Sequence, residues 1–146
     1  MNAQAFVGSE EKTMPTFSMT IQAQAAIEDV WKLLHDPSAF PLWWTGMETI
    51  EPGSDGDFTM WPTGHPDVPM AQQLDASSTD HRVTISCLVS YLEFVWQLAP
   101  EGDTTQIDVQ VRIPEAEAHR LDGQRAIVAE SLINLAALAA DGEPPS

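Results

Sequence analysis

Few side chains in this 146-residue chain have types and spacings suited to chemistry. Arg125 is the sharpest candidate. It stands four residues after Leu121 and three before Val128, in a stretch whose apolar residues recur at helical spacing, so its guanidinium lies along a face that should point inward. In an apolar cavity a fixed cation holds a carboxylate or an enolate through paired N–H donors. The competing reading is structural, with Arg125 pairing with a neighbouring acid at a cavity mouth. Tyr91 and Gln72 offer hydrogen bonds to a pocket if strand register turns them inward, and a slip of one residue reverses that.

His65, Asp67 and His81 are metal-ligand types, but a proline separates the first two and the spacing fits no zinc pattern. They read as loop residues, and neither a metal nor another cofactor is expected. Ser86 and Ser131 lack an activating partner in the sequence, and no acid and base form a convincing pair, so no catalytic residue is assigned. Cys87, the only cysteine, alternates with Val83 and Ile85 and reads as a buried, inert thiol. It excludes an intramolecular disulfide and a cysteine-rich zinc site.

Composition narrows the function classes further. Twenty-two acidic side chains face six basic ones, for a net charge of −16. Such a chain has no counterions to release from DNA and is repelled by anionic surfaces, so no nucleic-acid partner and no membrane insertion are expected. Without a signal-like start or a long apolar run, the chain reads as cytoplasmic. At 43% hydrophobic residues the middle of the chain has ample core. Residues 1–13 read as a flexible extension, 14–140 as one domain and 141–146 as a flexible tail.

The elements that would position these residues are written in periodicities. Phe17, Met19, Ile21 and Ala23 alternate with polar residues and predict a strand. Ile27, Val30, Trp31 and Leu34 predict a short helix ended by Pro37, and Pro37 to Trp44 a second turn or short helix. Strands are then predicted at 47–51, 57–61, 68–74, 82–88, 92–98 and 105–113, separated by turn residues such as Pro52-Gly53-Ser54-Asp55-Gly56. From Glu115 to Ala140, Leu121, Val128, Leu132, Leu135 and Ala139 form a helical stripe, with a kink or restart expected at Asp122-Gly123. Strands joined by short turns make an antiparallel meander, which twists and curls around that helix. Phe94, Trp96, Leu98, Ile107, Val109 and Val111 fall on its inner face by alternation.

This order of elements resembles the helix-grip fold of the START-like superfamily, also called SRPBCC or Bet v 1-like. The stretches AAIEDVWKLLHDPSAFPLWWTGMETIEPG and LEFVWQLAPEGDTTQIDVQVRIP carry the likeness, which spans about Met14 to Ala140. The resemblance implies an α+β fold: a seven-stranded curved antiparallel sheet wrapped on a long C-terminal helix, with two short helices after the first strand. It also implies a cavity between sheet and helix. Members bind lipids, sterols, hormones or polyketides, some are polyketide aromatases or cyclases, and others assist chaperones.

The reading that follows is a binder of a small hydrophobic, aromatic or lipid-like molecule, with Trp61, Gln72, Tyr91, Phe94, Trp96, Arg125 and Val128 as the ligand-binding set. The alternatives are a polyketide-type aromatase/cyclase or dehydratase using the same cavity and a chaperone-associated interaction module. Tyr91, Arg125 and a histidine converging on one void would favour the enzyme. A homodimer is compatible with the resemblance, although no motif encodes one.

Overall fold

The computed structural model describes residues 15–141. The expected N-terminal extension, 1–13, and all of the expected tail except Asp141 lie outside the described residues. Strand β1 (Thr16–Ala23) leads into helix α1 (Ile27–Leu34), a 3-10 turn at Pro37–Ala39 and the short helix α2 (Phe40–Trp43). Strands β2 (Met47–Pro52), β3 (Phe58–Pro62), β4 (Met70–Ser77), β5 (Arg82–Cys87), β6 (Glu93–Glu101) and β7 (Thr104–Arg112) follow. A 3-10 segment, Glu115–Arg120, then runs into the long helix α3 (Leu121–Asp141).

All seven strands form one antiparallel sheet in the order β1-β7-β6-β5-β4-β3-β2. Short turns make β2 to β7 a meander, and β1 pairs along the length of β7, from Thr16 opposite Arg112 to Ala23 opposite Thr105. This is the expected helix-grip arrangement. The local causes are readable. Asp36 accepts a hydrogen bond from the Ser38 N–H at 3.0 Å and caps the 3-10 turn that Pro37 opens. In the β2–β3 turn Asp55 and Gly56 both have positive φ, 56° and 86°. A Cβ on Gly56 would also stand 3.1 Å from the Leu74 carbonyl oxygen, so that position requires glycine twice over.

Period-two alternation sends Val83, Ile85 and Cys87 of β5, Phe94, Trp96 and Leu98 of β6, and Ile107, Val109 and Val111 of β7 into one core. Trp43 and Trp44 pack edge-on against Trp96, with ring centroids 5.3 and 5.2 Å apart, and Trp44 meets Phe94 at 5.1 Å. Thr105, fully buried, donates its hydroxyl to the Ala25 carbonyl at 2.8 Å and ties the β1–α1 loop to β7.

Three expectations shift. The fourth strand begins at Met70 rather than Val68, because the Val68 N–H turns back to the His65 carbonyl and Pro69 has no N–H to give a ladder. The last helix changes character at Arg120–Leu121, from 3-10 to α, and not at Asp122-Gly123. Gly123 has open space around it, and the helix passes through unbroken. Finally, the backbone of α3 runs closest to β1, α1 and α2, while α1 lies against β6 and β7. The inner face of the late strands is thus shared among helices rather than given to the last one alone.

Candidate functional site

A cavity of about 230 Å³ lies between the sheet and the start of α3. Its sheet wall is made by Met60, Met70, Gln72, Cys87 and Phe94, with Leu92 leading into β6. Each strand residue belongs to an inward-facing register: Phe58, Met60 and Pro62 on β3, Met70, Gln72 and Leu74 on β4, and Val83, Ile85 and Cys87 on β5. The opposite side is formed by Arg120, Gln124 and Ile127, spaced four and three residues apart and so sharing a helical face. Trp44, Thr45 and Gly46, following α2, close a third side.

That loop is fastened to the helix by a relay of hydrogen bonds. The Thr45 N–H donates to Ser131 Oγ at 2.9 Å, and Ser131 Oγ donates to the Ile127 carbonyl at 2.7 Å. Asn134 Nδ2 donates to the Trp43 carbonyl at 3.2 Å, and the Thr63 N–H donates to the Gly46 carbonyl at 3.0 Å. The same residues, 44–47, also floor a shallow outer groove bordered by Leu42, Glu48 and Asn134, so the loop is a partition between cavity and groove. Ser131 is fully buried, and Ser131→Ala should strand the Thr45 N–H, costing about 1–3 kcal/mol. Urea denaturation and faster hydrogen exchange at the Thr45 amide check this result.

The cavity wall is apolar except for a few groups. Among the described residues no aspartate or glutamate lines it, and its one charged member is Arg120. Arg120 Nη1 bonds Glu117 Oε1 at 3.2 Å, and its side chain is 34% exposed, which places it at the solvent-reached rim. Gln72 is buried, with its Nε2 only 3.4 Å from the Met70 carbonyl and its backbone opposite Cys87.

Beside it the chain reverses sharply: the Tyr91 N–H bonds the Cys87 carbonyl at 2.9 Å, and Tyr91 takes a left-handed φ of 64°. This turn brings the Ser90 N–H to 3.4 Å from Cys87 Sγ. Burial alone would push the Cys87 thiol up, but hydrogen bonds from the Ser90 side chain, the Ser90 and Val89 backbone and the Gln72 side chain outweigh it and leave the thiol below its ordinary value.

Of the residues singled out in the sequence, Gln72 and Phe94 border this cavity. The other five do not. Trp61 points away because the inward register of β3 belongs to Phe58 and Met60. Trp96 is on the inner face as expected, but it is fully buried with Trp43 and Trp44 packed against it, and its indole N–H has no partner among the described residues. Val128 is fully buried in packing behind the cavity. Tyr91 stands 70% exposed on its turn. Arg125 is exposed and lies over the Phe17 ring, 5.3 Å from its centroid, at the β1 edge.

No histidine reaches the cavity either: His81 bonds Glu28 at 3.1 Å, His35 bonds the Trp31 carbonyl at 2.8 Å, and His65 and His119 are exposed. The sequence reading missed Arg120, Gln124 and Ile127, and it took Cys87 as inward without seeing that it meets a void.

A curved antiparallel sheet gripping a long C-terminal helix defines the helix-grip fold. The chain belongs to the polyketide cyclase / dehydrase and lipid transport family, whose model matches residues 14–141. No curated protein matches it. Among solved structures it is similar to an uncharacterized protein from Bacillus thuringiensis, with 16% identity, a TM-score of 0.72, and coverage of 87% of this chain and 100% of that one. The Zhui aromatase/cyclase from Streptomyces sp. R1128 matches with 15% identity, a TM-score of 0.66, and coverage of 87% and 90%. The di-domain aromatase/cyclase StfQ of the steffimycin biosynthetic pathway matches with 12% identity and a TM-score of 0.73, over 92% of this chain and 53% of that one. At these identities the structures share the fold.

Proposed function

We propose that this protein binds a small hydrophobic molecule, of one or two rings, in the cavity between the sheet and the start of α3. The observation that carries this reading is an open cavity amid an otherwise packed core, walled by Trp44, Phe94, Met60, Met70 and Leu92 with a few polar groups among them. Size sets the ligand class: an apolar cavity of about 150 Å³ takes benzene. The 230 Å³ here suits a substituted ring or two fused rings. Methionines and aromatics give flat, adaptable contact surface for such a molecule.

The reading is tested by titrating the full chain with the neutral two-ring probe 2-naphthamide and following tryptophan emission, since Trp44 borders the cavity. Saturable quenching with a Kd of about 1–100 μM is the expected result, and no change up to about 1 mM contradicts it.

The second reading, cyclisation or dehydration of a polyketide-like substrate, draws on the family's description and on the aromatase/cyclases of like fold. The convergence of Tyr91, Arg125 and a histidine that would favour it is not found. Of the polar side chains at the cavity the Cys87 thiol is the one suited to proton transfer, while Gln72, Ser90, Gln124 and Arg120 would orient a substrate by hydrogen bonds. Turnover of a linear aromatic-forming polyketide analogue, lost when the cavity is blocked, would establish it.

A further inference from the structure

We infer that the cavity selects carboxylates: its preferred ligand is an aromatic monocarboxylate of one or two rings, whose anionic group is held by Arg120. This inference rests on the binding reading above and names the chemistry of that same site. Its first support is the distribution of charge. The chain is strongly acidic, yet among the described residues the cavity wall contains no carboxylate and a single cation. A cationic ligand would meet a guanidinium there whose paired carboxylate, Glu117, stands outside the lining. An anionic ligand meets the one charge that suits it, and the acidic remainder of the surface is screened beyond a Debye length of about 8 Å.

The second support is the set of free donors on Arg120. A guanidinium offers five N–H bonds in a planar fork. Here one bond, from Nη1 to Glu117 Oε1, is the side chain's only hydrogen bond among the described residues. Nε and Nη2 remain to take the two oxygens of a carboxylate side by side, the geometry in which arginine binds such groups most strongly. The basic side chains Lys32, Arg82, Arg112 and Arg125 are engaged elsewhere, with Asp29, Gln97, Glu93 and the Phe17 ring.

Glu117 has a defined part in this arrangement. It holds Arg120 at the rim through Nη1, and its negative charge repels a carboxylate seated on the other two nitrogens. Removing the Glu117 charge should therefore tighten binding of an acid and leave a neutral ligand unaffected.

The test compares 2-naphthoate with its neutral isostere 2-naphthamide by calorimetry on the full chain at a pH of about 7.5, where the probe acid is ionised. The expected result is that naphthoate binds at least about tenfold more tightly, as a charge-assisted bidentate contact should give. Arg120→Gln should bring the two affinities together by weakening naphthoate far more than naphthamide, and Glu117→Gln should widen the gap. Naphthamide binding in Glu117→Gln equal to that of the unaltered protein certifies that the cavity is intact. Equal affinities in the unaltered protein, or a preference that survives Arg120→Gln, would overturn the carboxylate assignment and leave the cavity reading standing. Failure of both probes to bind would overturn both.

Discussion

Trp43→Ala should destabilise this protein by about 3–5 kcal/mol, the range for removing a large aromatic from a packed core, with a further cost for the hydrogen-bond partner it abandons. Trp43 is 1% exposed and joins its own helix, α2, to three other elements. Its indole N–H donates to the Leu33 carbonyl at 3.0 Å, its ring packs on Phe40, Trp44 and Trp96, and its own carbonyl receives Asn134 of α3. The change therefore leaves a void where α1, α2, β6 and α3 meet. Equilibrium urea denaturation measures it. Trp61→Ala, on the outward register of β3, serves as the contrast and should cost less than about 1 kcal/mol. Equal losses at the two tryptophans would contradict the packing described here.

Ile127→Trp should abolish cavity binding, weakening a neutral two-ring ligand by about 100-fold or more. The space between α3 and the 44–47 loop is narrow: even a Cβ added at Gly46 would come within 3.9 Å of Ile127 Cδ1. An indole in place of the Ile127 side chain fills that space from the helix side. The tether survives, because Ser131 bonds the backbone carbonyl of Ile127 and not its side chain. Stability should thus stay close to that of the unaltered protein, which separates blocked binding from lost folding. Ile127→Ala should do the reverse, enlarging the void and admitting bulkier probes. An Ile127→Trp protein that folds and binds as before would place the ligand somewhere else.

The fold was legible because its signals are local and repeated. Strand alternation names the inner face of β5, β6 and β7 residue by residue, and the turn chemistry of Ser54-Asp55-Gly56 leaves no other connection between β2 and β3. The cavity was less legible, since a void is a property of how elements diverge and not of any one element. Phe94 and Trp96 share a register, yet one borders the cavity and the other is sealed by tryptophans from α2 and the residue after it.

The arginine illustrates the same limit. At about 100° per residue Arg125 lies some 60° from Val128, on the flank of the buried stripe. Gln124 and Ile127 lie on the opposite flank. Which flank meets β1 and which meets the void depends on how α3 lies on the sheet, and that orientation puts Arg125 over Phe17. Arg120 was hidden for the same reason. It stands one residue before α3 on the flank of Gln124 and Ile127, off the buried stripe, and nothing in the sequence shows that this flank meets a void.

The central claim is that one small apolar molecule occupies the cavity beside α3. Native mass spectrometry of the full chain with increasing 2-naphthamide, run beside Ile127→Trp, tests it most directly. The account predicts a single one-to-one adduct that saturates for the unaltered chain and is missing from the variant. No adduct on the unaltered chain, or equal adducts on the two, would contradict it.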